Sequence, residues 1–178
     1  YTMSQQSSCL KRKVGAVIVD SDNCIISSGF NEAPRHSRPC AKQFGECQRT
    51  YEWKEVSSHL AADVSALDGD SSAVMACLKR DLKILDRCRA LHAEENAIVS
   101  LAKNGSSSHL GECVLYTTTY PCRLCANKIV NLGLKGVVYL EPYPDQEAKV
   151  ILHDGNVEDE FFEGITFKAY SRIYGEKK

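Results

Sequence analysis

Apolar positions along this chain fall into two rhythms. Residues 14–20, VGAVIVD, and 24–30, CIISSGF, are short, nearly continuous apolar runs separated by Ser21, Asp22 and Asn23. Two such runs around a short polar turn predict a β-hairpin. From residue 92 onward the rhythm alternates. Ala93, Ala97, Ile98, Leu101 and Ala102 recur at helical spacing and Asn104-Gly105 stops the run, so 92–103 is predicted to be a helix. Residues 113–119, CVLYTTT, predict a strand, 122–132 a helix stopped by Gly133, 137–140 a strand, 146–153 a short helix, and 165–170 a last strand. Strands separated by helices imply parallel pairing through right-handed crossovers.

Residues 36–91 follow neither rhythm. They carry scattered charge and four of the chain's nine cysteines. Val74, Leu78, Leu82 and Leu85 predict an amphipathic helix over 72–87. A length of 178 residues suits one domain with a substantial core, so 36–91 reads as an insertion packed on a single domain, 1–178. The opening YTMSQQSSCLKRK reads as the end of a helix and lacks an initiator methionine, so further sequence upstream is expected.

The formal net charge is −1. A polynucleotide-binding surface usually carries a basic surplus, so nucleic acid is not an expected partner, and no apolar run approaches the length of a membrane span, so neither is a membrane. Lys11, Arg12 and Lys13 still form a local basic cluster suited to phosphate. The odd cysteine count, with no leader segment, favours reduced thiols, some of them for metal, and a cytoplasmic setting.

The chemistry lies in His92-Ala93-Glu94 and Pro121-Cys122-Arg123-Leu124-Cys125. One imidazole and two thiolates give Zn2+ three protein ligands and leave a fourth tetrahedral position for water. Cys122 and Cys125 share a helical face in a first turn, where the positive helix end favours thiolate. Glu94, two residues beyond His92, is expected to point away from the metal-binding face, and so to carry protons rather than ligate. A lone C-x-x-C serves structural zinc or redox chemistry equally well. The pairing with H-x-E, each half opening a helix, is the signature of zinc deaminases.

On CLKRKVGAVIVD, GFNEAP, HAEENAI and LYTTTYPCRLCANKIVNLGLKGVVYLEP, the chain resembles the cytidine deaminase superfamily, and within it the deoxycytidylate deaminases. GFNEAP departs from the family pattern, because Glu32 replaces a glycine. The resemblance implies an α/β fold of three layers, a five-stranded mixed sheet with helices on both faces, beside the inserted region. It implies hydrolytic deamination of a deoxycytidine nucleotide, dCMP or dCTP, and a homo-oligomer, dimer or hexamer. Glu94 would be catalytic; Asn31 would bond the deoxyribose, Tyr120 and Ala93 would meet the base, and Arg12 and Arg35 would reach phosphates. The residues also allow Asn31 to end a strand, Tyr120 to be core and Arg12 to be a solvated charge. EPYPDQEAKVILHD and the insertion resemble the deaminase domain of bacterial anti-phage deoxycytidine nucleotide deaminases, which implies an upstream nucleoside-triphosphatase-like domain and an antiviral role. Some deoxycytidylate deaminases carry a second, structural zinc. Cys40, Cys47 and Cys88, with His36 and His59 among the remaining candidates, suit one here, or are ordinary core thiols. Two other functions use the same motif, editing of nucleic acid and a non-catalytic zinc module. The charge balance speaks against the first and Glu94 against the second.

Overall fold

The predicted hairpin forms as β1, Gly15–Val19, antiparallel to β2, Ile25–Phe30, with Val17 opposite Ser28. Its turn is set by Asp20, whose Oδ1 accepts from the amides of Asp22 at 3.0 Å and Cys24 at 2.8 Å. Asn23 takes the left-handed conformation, φ 62°. The computed structural model describes residues 1–66, 72, 88–105, 109–166 and 169. These fall into two compact units, one of residues 1–7, 13–32 and 92–178, the other of 8–12 and 33–91.

In the first unit, α1 is Thr2–Gln5. In the second, α2 is Cys40–Phe44 and α3 Gln48–Ala66. The first unit continues with α4, Ala93–Asn104, β3, Val114–Thr117, α5, Arg123–Leu132, β4, Gly136–Tyr139, α6, Gln146–Asp154, and β5, Glu158–Phe161. The predicted glycine stops hold, with Gly105 at φ 67° and Gly133 at φ 75°. The sheet order is β2-β1-β3-β4-β5. β1 is antiparallel to both neighbours, while β3, β4 and β5 run parallel, as the crossover helices require.

The fifth strand is not where the apolar pattern put it. It is Glu158–Phe161, four residues of sequence EDEF, and not 165–170. As an edge strand it needs little apolar side chain, and charge on an edge discourages pairing with other chains. Its apolar anchor is Val157, just before it and 4% exposed. Ile165 lies outside any strand and is 72% exposed, while 167, 168 and 170 are outside the described residues.

One face of the sheet carries the core. Ala16, Ile18, Leu115 and Val137 pack against Ala93, Ala97 and Leu101 of α4, Ala126 and Ile129 of α5, and Ala148 and Leu152 of α6. The many alanines let the helices lie close. Contact is tightest at Gly29, where a Cβ would fall inside the van der Waals envelope of Ala93 O and Ala97 N. Ser27, on the same row of β2, donates to Ala97 O at 2.6 Å. The opposite row, Val17, Ser28, Tyr116 and Val138, lines a groove of about 520 Å³. α1 packs on that second face beside Gly15.

In the second unit, α2 ends at Gly45, φ 71°. Phe44 of α2 packs on Tyr51 of α3, ring centroids 5.2 Å apart. The Arg89 guanidinium stands 5.9 Å from the Phe44 ring and bonds Gln43 Oε1. The helix predicted over 72–87 lies, apart from Ser72, outside the described residues. Among the described residues no helix is long and apolar enough to cross a membrane.

The Gly29 contact makes a test of how α4 is seated. Gly29→Ala is expected to cost about 1–3 kcal/mol through overpacking. That corresponds to a melting temperature lower by roughly 2–4 °C per kcal/mol for a chain of this size. Unchanged thermal unfolding would show that α4 is less tightly held against β2 than described.

Candidate active site

His92 and Cys122 are both helix N-caps on extended backbone, φ −70°, ψ 161° before α4 and φ −76°, ψ 166° before α5. A residue at that position projects past the helix end instead of lying along its flank. The two helices begin at one place, so the caps meet. His92 Nδ1 lies 3.5 Å from Cys122 Sγ and 3.4 Å from Cys125 Sγ. The ligand atoms of His92, Cys122 and Cys125 lie within 4.8 Å of one another, the only such group among the described residues.

Polar contacts hold the two helix starts in place. Glu95 Oε2 accepts from His92 N at 2.9 Å, and Glu95 Oε1 pairs with Lys128 Nζ of α5 at 2.7 Å. Asn96 Nδ2 donates to Phe30 O at 2.7 Å, anchoring α4 to the end of β2. Asp145 serves two helices at once. Its Oδ2 accepts from Arg123 N, the first residue of α5, at 3.0 Å, and its Oδ1 from Ala148 N of α6 at 3.2 Å. The Glu three residues after the cap is a legible half of a capping box. The reach of Asp145 across to α5 has no sequence signal.

The charges are set by this meeting of groups. Hydrogen bonding from Cys125, and then from His92, pulls the Cys122 thiol down to about 4. Cys125 goes the other way, because it shares the proton with Cys122 and is buried. The hydrogen bond to Cys122 raises His92. Two thiol ligands and an imidazole, gathered at two positive helix ends, fit a zinc ion bound by three protein groups.

Glu94 does not point away from this group. Its Oε2 is 3.7 Å from Cys125 Sγ, its Oε1 is 3.3 Å from Thr117 Oγ1, and the residue is 4% exposed. The helical stepping that would turn it away begins only at Ala93, since His92 is extended. Burial pushes its carboxyl above the usual range. It is not a member of the ligand group.

The profile of the "Cytidine and deoxycytidylate deaminase zinc-binding region" matches residues 1–141. The chain belongs to this deaminase family. Among the described residues, His92, Cys122 and Cys125 are the group that could hold the zinc of this zinc-binding family. The deoxycytidylate deaminase of Saccharomyces cerevisiae is 32% identical over 169 residues, 94% of this chain and 41% of that protein. That of phage T4 is 33% identical over 146 residues, 80% of this chain and 74% of the phage protein. The chain therefore spans about two fifths of the yeast relative's length. The dCMP deaminase of cyanophage S-TIM5, solved in complex with dCMP and dUMP, superposes with a TM-score of 0.58 at 26% identity, covering 90% of this chain and 89% of that one.

The remaining candidates fall in both units. Asn31 Oδ1 accepts from Val14 N at 2.7 Å and its carbonyl accepts from Ser7 Oγ at 2.6 Å, so the residue fastens the end of β2 to the approach to β1. Tyr120 lies in the core, 6% exposed, its ring edge-on to Tyr139 at 4.7 Å. Ala93 is fully buried, with its carbonyl against Gly29. Arg12 and Arg35 are exposed residues of the second unit. Cys40, Cys47 and Cys88 also belong to the second unit, and their sulfurs do not form a three-ligand group. Cys88 instead lies within electrostatic reach of Arg49, Cys9 and Cys47.

Cys122→Ala is expected to abolish stoichiometric zinc in freshly purified protein, read by elemental analysis; full occupancy would contradict the ligand set. Zinc is bound by thiolates and neutral imidazole, so its affinity is expected to fall as pH falls. A competitive chelator titration checks the sign. Asp145→Ala is expected to lower stability by about 0.5–2 kcal/mol, as loss of a cap does, and to weaken zinc retention in the same titration.

Proposed function

We propose that this chain deaminates a deoxycytidine nucleotide hydrolytically, giving the deoxyuridine nucleotide and ammonia. The observation that carries the reading is Glu94, a buried carboxylate 3.7 Å from Cys125 Sγ and outside the ligand group. A structural zinc site has no use for such a group. The relatives named as deoxycytidylate deaminases, and the cyanophage neighbour bound to dCMP and dUMP, support the choice of substrate.

His92, Cys122 and Cys125 would hold the zinc. When bound, zinc supplies a Lewis acid that lowers the pKa of water toward neutrality. The rest falls to the chain. Replacing the amino group at C4 of cytosine requires a proton on N3 and another on the departing nitrogen. Glu94 takes one proton from the attacking water and delivers it to N3, then takes the remaining hydroxyl proton and delivers it to the amino group, which leaves as ammonia while the oxygen stays on C4 as the carbonyl. Burial raises its carboxyl above the ordinary range, and its place beside the metal group lets one carboxyl both accept and release a proton. Burial limits water around it, since Glu94 is 4% exposed and its partner Thr117 3%.

Asn31 is proposed to orient the sugar, its side chain already fixed by Val14 N. Ala93 and Tyr120 are proposed to border the base. Arg12 and Arg35, with Lys11 and Lys13, are proposed to meet phosphate. The same reading includes a cytoplasmic enzyme that self-associates, and an upstream domain in the full protein.

Glu94→Gln is expected to keep zinc and fold while lowering kcat by at least about 100-fold, the usual scale for losing a proton carrier. Activity within a few fold of wild type would remove Glu94 from this role. A substrate panel of dCMP, dCTP, deoxycytidine and a cytosine-containing oligonucleotide tests the nucleotide. Charge-assisted phosphate contacts contribute about 1.5–3 kcal/mol each, so losing two should reduce kcat/KM for the nucleoside by at least about 100-fold. Preference for the nucleoside or the oligonucleotide would refute the nucleotide reading. Preference for dCTP over dCMP would favour a nucleotide-depleting antiviral role.

A further inference from the structure

Thr117 is the last residue of β3, on the row that faces the core, and is 3% exposed. A hydroxyl buried there must find partners, since an unpaired one costs free energy. Its Oγ1 has two acceptors in reach, Thr119 O at 3.0 Å and Glu94 Oε1 at 3.3 Å. Thr119 N approaches the same oxygen at 3.5 Å. The other Glu94 oxygen, Oε2, is the one beside Cys125 Sγ at 3.7 Å. The carboxylate is therefore suspended between strand and metal donors, one oxygen on each.

We infer that the Thr117 hydroxyl is a positioning residue that sets which way the Glu94 carboxylate faces, holding Oε1 on β3 so that Oε2 is presented to the metal group. The assignment rests on the deaminase reading of the site. A Glu side chain has two staggered torsions and a loosely restrained terminal one, so a single directed hydrogen bond on one oxygen removes most of its remaining freedom. A hydroxyl suits the task because it has one proton and two lone pairs. It can donate to Glu94, or donate to Thr119 O and accept from Glu94, keeping the contact while the glutamate moves protons. Thr117 is not one of the three residues of the metal group. Its strand is fixed independently by the β1 pairing, Thr117 opposite Ala16, and by Thr118, whose Oγ1 accepts from Gly15 N at 3.1 Å.

The test replaces the hydroxyl by a methyl of similar size. Thr117→Val is expected to keep zinc at wild-type stoichiometry and KM for dCMP within about twofold, while kcat falls about tenfold or more, the scale of one lost hydrogen bond to a charged group. Thr117→Ser, which retains the hydroxyl, is expected to recover kcat to within about threefold of wild type. Crystal structures of zinc-loaded wild type and Thr117→Val supply a readout independent of turnover, with the Glu94 carboxylate rotated away from its wild-type position in the variant. If Thr117→Val does not fold, Thr117→Ala is taken through the same comparison with Thr117→Ser. Wild-type kcat in the hydroxyl-free variant, or an unmoved Glu94 in its crystal structure, overturns the inference. Wild-type protein inactive on cytosine nucleotides refutes the deaminase reading instead, and the crystallographic comparison still decides whether Thr117 orients Glu94.

Discussion

Two helices have to start at the same point. His92 and Cys122 are far apart in the chain, yet each is the cap of its helix, and the metal group exists only because the caps converge. The parallel arrangement of β3 and β4 makes this economical. α5 must cross over between them, so it begins beyond the end of β3, beside the start of α4. Convergence also places two positive helix ends together, which favours the thiolate form that metal binding needs. What prevents the ends from drifting is a small set of polar ties. Glu95 to Lys128 joins α4 to α5, and Asp145 joins α5 to α6.

The close seating of α4 has a matching cause. Gly29 on β2 and the alanines at 93 and 97 remove the side-chain volume that would otherwise separate helix from sheet. The helix start then sinks into the core, and Glu94 goes with it. A buried carboxylate without partners would be too costly to keep. Here it is compensated by the Thr117 hydroxyl and the nearby His92, with the Cys125 thiol 3.7 Å from its other oxygen. The run of three threonines at the end of β3 serves this boundary between sheet and site. Thr117 turns to Glu94, while Thr118 extends the pairing with β1 through both its backbone and its hydroxyl.

Much of this was legible in the sequence. The hairpin, the α4 and α5 helices with their glycine stops, the parallel crossovers and the grouping of His92, Cys122 and Cys125 follow from local spacing, because caps, turns and apolar rows act over a few residues. The fifth strand did not, since an edge strand of EDEF carries no apolar rhythm and is recruited by β4 alone. The direction of Glu94 did not either. Helical stepping is a valid guide only inside a helix, and the extended backbone at His92 lies outside it. The roles of Asp145, Lys128 and Thr117 belong wholly to the tertiary structure. Each acts on a group distant in sequence, and a short polar side chain announces its partner only when packing brings the two together.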